Sequence, residues 1–298
     1  MPELPDISVY VESLHAKLRG DRLERVRIAN PFLLRSALPP IASAEGRAVA
    51  GIERLGKRVV IALQGDLFLV LHLMIAGRLH WHAHGAKPPA RTALAVFEFA
   101  GGSLALTEAG TPRRASLHLV AGREALAAMD PGGIDVMACS GAEFGTRLAS
   151  QNHTLKRALT NPALFSGIGN AYSDEILHRA RLSPVALTRS LDAAALQRLH
   201  DAARAVLSEW TSRLRDEAVA HGGWPKKVTA FHPRMAVHGR YGEPCPECGS
   251  KVQRIVHAAN ETNYCARCQT QGKLLADRAL SRLLHASWPR HIDDLDPG

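Results

Sequence analysis

Two close pairs of cysteines, Cys245-Pro-Glu-Cys248 and Cys265-Ala-Arg-Cys268, separated by residues 249–264, constrain this chain more than any other feature. Cys-x2-Cys knuckles at such a separation bring four thiolates to the corners of a tetrahedron, the arrangement that one structural zinc ion takes. With all four corners filled, the metal is expected to fold a ribbon and not to catalyse. The fifth cysteine, Cys139, stands alone in a loop-like stretch and reads as an ordinary thiol. Ribbons of this kind serve many sorts of protein, so the cysteines leave the activity open. Gly239-Arg240-Tyr241-Gly242 ahead of the ribbon, with Lys251 and Arg254 inside it, suits a hairpin that touches phosphates.

The other segments differ in texture. Asp6 is placed to cap a first helix whose apolar positions Ile7, Tyr10, Val11, Leu14 and Leu18 recur at helical spacing up to Gly20. From Leu23 to about Val120 short apolar runs alternate with turn signals: Val49–Ile52, Val59–Leu63, Leu67–Leu73, Ala93–Phe99 and Ser103–Leu106, with hairpin turns at Gly65-Asp66 and Gly101-Gly102. That pattern predicts an antiparallel sandwich or barrel. After a small-residue stretch around Asp130-Pro131-Gly132-Gly133 the chain turns helical, near Ala142–Ala149, Leu155–Leu159, Asn170–Ala180 and Ala193–Arg215. A short amphipathic helix is expected over Leu275–His285, apolar at Leu275, Leu280, Leu283 and Leu284, and docked on the protein itself.

A net charge of +9, from 37 Lys and Arg against 28 Asp and Glu, suits a polyanionic partner. Aromatic residues make up only 5% of the 298, which argues against a broad base-stacking platform. There is no apolar run of about 18 residues and no signal-peptide layout, so the expected place is the cytoplasm, with no membrane contact.

Chemistry is suggested first at the chain start, Met1-Pro2-Glu3-Leu4-Pro5-Asp6. Methionine before a small residue is normally trimmed, which would leave Pro2 with a free secondary amine. An α-amino group titrates at about 7.7–8.0, so much of it is uncharged and nucleophilic near neutral pH. Glu3 follows as a carboxyl able to protonate a leaving group or ring oxygen. Further on, Gly167-Ile168-Gly169-Asn170 turns tightly into a helix whose free N–H groups suit a phosphate. Taken alone, such a stretch is as often only a turn and cap.

Together these pieces resemble the formamidopyrimidine-DNA glycosylase and endonuclease VIII family. Pro2-Glu3-Leu4-Pro5, Gly56-Lys57 before a strand, Gly167-Ile168-Gly169-Asn170 and the four cysteines after Gly242-Glu243-Pro244 occur in the family's order. The resemblance implies a multidomain α+β chain: a catalytic N-terminal β-sandwich with its leading helix (1–130), a linker (131–150), a helix–two-turn–helix DNA-binding domain (151–230), a zinc hairpin (237–270) and a C-terminal helix and tail (271–298). It implies a basic DNA cleft, Pro2 as nucleophile at C1′ of a damaged nucleotide, Glu3 as general acid, and Lys57 contacting the lesion's phosphate and sugar. Lys156 and Asn170 would hold phosphates near the flipped nucleotide, and Glu175 would lie close to the active site. Lys57 read by itself would be a solvated strand-end lysine.

Departures from the family pattern are equally informative. Asp6 stands where a glutamate is customary, one methylene shorter. Asn260 falls where the zinc hairpin usually carries an arginine, which puts efficient δ-elimination in question. In His72-Leu73-Met74-Ile75 the methionine that fills the gap left by the flipped base is replaced by Ile75, with Met74 adjacent. Pro112-Arg113-Arg114-Ala115 keeps an arginine but has Ala115 for the customary phenylalanine, which cannot wedge between bases. The expected activity is a bifunctional DNA glycosylase and abasic-site lyase of base excision repair, removing damaged, chiefly oxidised, bases through a Schiff base at Pro2, acting as a monomer on damaged DNA at the nucleoid and favouring single-stranded or bulky lesions. The alternative is a non-catalytic lesion- or structure-specific DNA-binding protein on the same fold. The retained Pro2 and Glu3 favour the enzyme, because a binder needs no amine beside a carboxyl.

Overall fold

The computed structural model describes residues 1–86, 91–110, 113–226, 228–229, 231–257, 260–276 and 289–295. Contacts divide the chain into two compact units: Met1–Pro131 with Trp210–Thr229, and Gly132–Glu209 with Ala230–Gly298. Among the described residues no helix is long and apolar enough to cross a membrane.

The first unit opens with helix α1 (Leu4–Leu18). It begins three residues earlier than an Asp6 cap would place it, because Pro5 fits the first helical turn, where a missing N–H leaves no bond unmade. Glu3 is the N-cap, and Asp6, inside the first turn, accepts the Glu3 backbone N–H at 2.8 Å. Eight strands follow: β1 (Arg22–Ile28), β2 (Arg47–Leu55), β3 (Arg58–Leu63), β4 (Leu67–His72), β5 (Gly77–His82), β6 (Ala93–Phe99), β7 (Gly102–Glu108) and β8 (Ser116–Ala121). They hydrogen-bond antiparallel in the order β5-β7-β6-β1-β2-β3-β4-β8. Only Arg22–Ala48 and Leu23–Arg47 pair across β1 and β2, and at this corner the sheet folds into the two layers of a sandwich.

One core joins both layers and α1. It holds Ile7, Tyr10, Leu14 and Leu18 from the helix, Val59, Ile61, Leu69 and Leu71 from one layer, and Leu79, Phe97, Leu104 and Leu106 from the other. On their opposite faces β3 and β4 bury Val60, Ala62, Phe68 and Val70 against Leu126 of the short helix α2 (Arg123–Ala127). Burial on both faces explains why these two strands read as continuous apolar runs.

The second unit holds α3 (Gly141–Ala149), α4 (Leu155–Thr160) and α5 (Asn170–Ala180), then the hairpin of β9 (Gln253–His257) and β10 (Asn260–Tyr264) and the short helix α7 (Ala266–Thr270). Helix α6 (Ala193–Ala220) starts in this unit and ends in the first. Its last turns place Leu214 and Ala218 on Val9 of α1. The following loop sets Trp224 against Tyr10 and Trp81, its indole N–H donating to Leu79 O at 3.2 Å. Trp224 is therefore anchored in the N-terminal unit, while Lys227 and residues 277–285 of the expected last helix lie outside the described residues.

Candidate active site and metal centre

In the first unit Pro2, Glu3 and Asp6 are all buried at the start of α1. Burial pushes the Asp6 carboxyl up to about 7; the Glu3 N–H works against that shift and the Glu3 charge reinforces it. Burial also lowers the Met1 amine below its usual value, opposed by Glu3 and then reinforced by Arg78, with Asp6 raising it and Lys57 lowering it less strongly. The terminus, Glu3, Asp6, Lys57 and Arg78 thus share one electrostatic neighbourhood. Lys57 follows Gly56, whose φ of +61° makes the turn from β2 into β3. Next to it, His72 is driven down to about 4 by burial first and then by Arg58, Lys57 and His118, so it is neutral at pH 7.

Arg78 was not among the residues singled out from sequence. Its signal is positional, since it follows Gly77 at the exit of the His72–Ile75 turn. The turn is closed by the Gly77 N–H donating to Leu73 O at 2.9 Å, and a Cβ on Gly77 would meet that oxygen at 2.2 Å. Met74 takes a left-handed backbone, φ +52°, and Ile75 protrudes at the tip with 60% of its surface exposed. A cavity of about 450 Å³ opens beside Asp6, lined also by Val9, Leu214, Glu217, His221 and Lys226.

Arg113 is exposed and donates to Arg91 O, while Arg114 and Ala115 are held by their backbone N–H groups on the buried Glu108 carboxylate at 2.9–3.0 Å. Ala115 is 4% exposed and belongs to the sandwich core.

In the second unit α5 carries two adjacent buried carboxylates. Glu175 accepts the backbone N–H groups of Ala236, Val237 and His238 at 2.7, 2.9 and 3.0 Å, although burial still raises its carboxyl. Asp174 accepts from Lys156 Nζ at 2.5 Å, from His238 Nδ1 at 2.7 Å and from the Asn263 N–H at 3.1 Å. Lys156 Nζ also donates to Asn170 O at 2.6 Å, and Asn170 Nδ2 donates to Glu261 O at 2.9 Å. The structure therefore brings Lys156, Asn170 and Glu175 together around the hairpin, each already bonded within the protein. Asn260 is exposed at the start of β10, opposite His257.

The four cysteine Sγ atoms lie within 4.8 Å of one another, with Cys248–Cys265 at 3.4 Å and Cys245–Cys268 at 3.9 Å. Tetrahedral zinc with Zn–S near 2.3 Å requires S–S separations of about 3.8 Å, so the donor set fits one structural zinc ion. His178, one turn beyond Glu175 on α5, sets Nε2 3.3 Å from Cys245 Sγ. A ring N–H there would orient the thiolate and draw charge from it. Sequence reasoning missed His178; its place on the hairpin-facing side of α5, three residues after Glu175, is the available signal.

Residues 1–115 match the formamidopyrimidine-DNA glycosylase N-terminal domain, 133–216 its H2TH domain, and 242–271 the zinc finger found in FPG and IleRS. The formamidopyrimidine-DNA glycosylase of Thermus thermophilus is 34% identical over 285 residues, 91% of this chain and the whole of that protein. The chain belongs to the formamidopyrimidine-DNA glycosylase family. Another relative, from Desulfitobacterium hafniense, is 32% identical over 280 residues, 90% of this chain and all of its own length. Among solved structures, the MutM (Fpg) protein of Thermus thermophilus superposes with a TM-score of 0.74 at 31% identity, covering 90% of this chain and 98% of its own. The Lactococcus lactis Fpg in complex with abasic-site DNA shares the fold, with a TM-score of 0.79 at 23% identity over 90% of this chain and 99% of its own.

Proposed function

We propose that this chain is a DNA glycosylase with abasic-site lyase activity, releasing damaged bases in base excision repair through a Schiff base at Pro2. The observation that carries this reading is the chain start itself, where Pro2 and Glu3 are buried beside Asp6, Lys57 and Arg78. Removal of Met1 would make the Pro2 nitrogen the terminal amine. Its lone pair would bond to C1′, the N-glycosidic bond would break, and its electron pair would leave with the base, which takes up a proton. Glu3 would protonate the ring oxygen as the sugar opens to an iminium. The iminium acidifies the C2′ protons, and loss of one expels the 3′ phosphate. Lys57 and Arg78 are the cations at hand to favour an uncharged amine and to meet the lesion's phosphate.

The cavity beside Asp6 is proposed to take the extruded base, whose removal from the stack costs a few kcal/mol. Lys156, Asn170, Arg113 and the hairpin with Asn260 are the proposed phosphate contacts, and Glu175 positions the hairpin segment through its three N–H bonds. Ile75 at an exposed tip, with Ala115 withdrawn into the core, leaves little to support an unpaired opposite base. This supports a preference for single-stranded or bulky lesions. The protein is read as a monomer acting on damaged DNA in the cytoplasm, at the nucleoid.

Borohydride trapping on an abasic oligonucleotide tests the proposal. Wild type should give a covalent adduct mapped to Pro2, and Pro2→Gly should lose most of it. An adduct mapped elsewhere, or active protein that retains Met1, would overturn the assignment.

A further inference from the structure

A ribbon folded around one ion is too small to build a large core, so whatever packs on it supplies much of its order. In this chain that packing comes from beyond residue 271, where the match to the zinc finger ends. After α7 the backbone turns through Gln271 and Gly272, left-handed at φ +54° and +85°. A Cβ on Gly272 would strike the His291 ring. The Leu275 N–H then donates to the Tyr264 hydroxyl of β10 at 2.8 Å. Residues 289–295 return to the same stretch. Leu274 N–H donates to Arg290 O at 2.9 Å and Ile292 N–H to Gly272 O at 2.8 Å, an antiparallel bridge centred on Lys273 and His291. Asp294 closes the turn that follows, accepting the N–H groups of Arg290 and His291 at 3.0 and 2.8 Å. The bridge delivers Ile292 into one buried apolar cluster with Ile255 of β9, Tyr264 of β10, Ala266 of α7 and Leu274. Asp293 pairs with Arg267, which stands between Cys265 and Cys268.

We propose that residues 289–295 are a strap that holds zinc in the ribbon, so that the ion escapes only after the strap has let go. A site of four thiolates gives up its ion by moving one pair of ligands away from the other. The first pair, Cys245 and Cys248, precedes the hairpin, whereas Cys265 caps α7 and Cys268 lies within it. With Ile292 packed with Ala266 and Asp293 paired with Arg267, the second pair cannot swing out while the strap stays in place. Its departure breaks the bridge at Lys273 and returns Ile292 to water, which is the cost that slows release. Coupling of this kind is reciprocal: whatever the strap adds to the hold on zinc, zinc adds to the hold on the strap. The peptide bond from Arg290 to His291 lies between the two backbone hydrogen bonds of the bridge. The Arg290 side chain is exposed, so trypsin reaches that bond whenever the bridge opens.

The test mixes the full chain, loaded with zinc, with excess 4-(2-pyridylazo)resorcinol and follows release of the ion by absorbance. Ile292→Asp should release it at least about tenfold faster than wild type. Asp294→Ala, which loses only the acceptor that closes the turn, should be about threefold faster. Leu295→Asp, at the exposed next position, should stay within about twofold of wild type. In the second arm trypsin should cut after Arg290 at least about tenfold faster once zinc has been stripped, the cut being mapped by mass spectrometry. Circular dichroism of each variant distinguishes a loosened strap from a lost fold. Wild-type release rates in both Ile292→Asp and Asp294→Ala, cleavage after Arg290 that is the same with and without zinc, or a wild type that holds no zinc would overturn the proposal.

Discussion

Asp6 accepts the backbone N–H of Glu3 at 2.8 Å from within the first turn of α1, tying the residue proposed as general acid to the most perturbed carboxyl of the N-terminal unit. A carboxyl raised to about 7 by burial binds its proton more tightly in the folded chain than in the unfolded one. Its contribution to stability is full below the unfolded value of 3.8 and is lost as pH rises through about 7. Asp6→Asn keeps an oxygen for the Glu3 N–H and removes the titration. Urea unfolding between pH 4 and 7.5 should show wild type losing on the order of 1–3 kcal/mol relative to Asp6→Asn. Parallel pH profiles for the two proteins would show that Asp6 ionises normally.

Glu3→Gln keeps the shape of the N-cap and takes away its acid. Base release should fall at least about a hundredfold, the usual scale for losing a positioned acid. Trapping on a preformed abasic site should survive, since its sugar already exchanges with an open-chain aldehyde that an amine can attack without an acid to open the ring. Single-turnover excision and borohydride trapping, run side by side, separate the two steps.

The turn after β4 offers opposite outcomes two residues apart. Gly77→Ala should destabilise the protein by about 2 kcal/mol or more in thermal or urea unfolding, because its Cβ has no room beside Leu73 O. Ile75→Ala should change stability by less than about 0.5 kcal/mol, as the side chain is exposed. Ile75→Met should instead raise excision from duplex relative to single-stranded DNA, measured on one lesion in both contexts.

His178→Ala should weaken zinc binding about tenfold, the scale for losing a partner of a metal ligand, measured by competition with a chromophoric chelator. Glu175→Gln removes the charge that three backbone N–H groups share. It should cost about 1–3 kcal/mol in the stability of the second unit, followed by hydrogen exchange at residues 236–238.

The parts most legible in the sequence are those where one local signal is enough. The cysteine spacing gives the ribbon, and the apolar runs of β3 and β4 are conspicuous because both faces are buried. β1 (Arg-Leu-Glu-Arg-Val-Arg-Ile), β5 (Gly-Arg-Leu-His-Trp-His) and β8 (Ser-Leu-His-Leu-Val-Ala) escape notice, because charged or polar residues leave them apolar runs of three residues at most. The start of α1 is misplaced from sequence because Pro5 looks like a boundary when it is a first-turn residue. The pairing of Lys156 with Asp174 was likewise invisible. It joins residues eighteen positions apart on two helices, and no periodicity encodes that meeting.

Asp174 gathers Lys156 from α4, His238 ahead of the ribbon and Asn263 from β10, while its neighbour Glu175 and, one turn on, His178 reach the same segment and the metal's own sulfur. Zinc starvation would accordingly do more than slacken a finger. By letting the hairpin drift it would take His238 and Asn263 off Asp174 and leave that carboxylate to Lys156 alone, a lysine then less able to turn toward a phosphate, so that how firmly the backbone of a nucleic acid is gripped would follow the cell's supply of the ion.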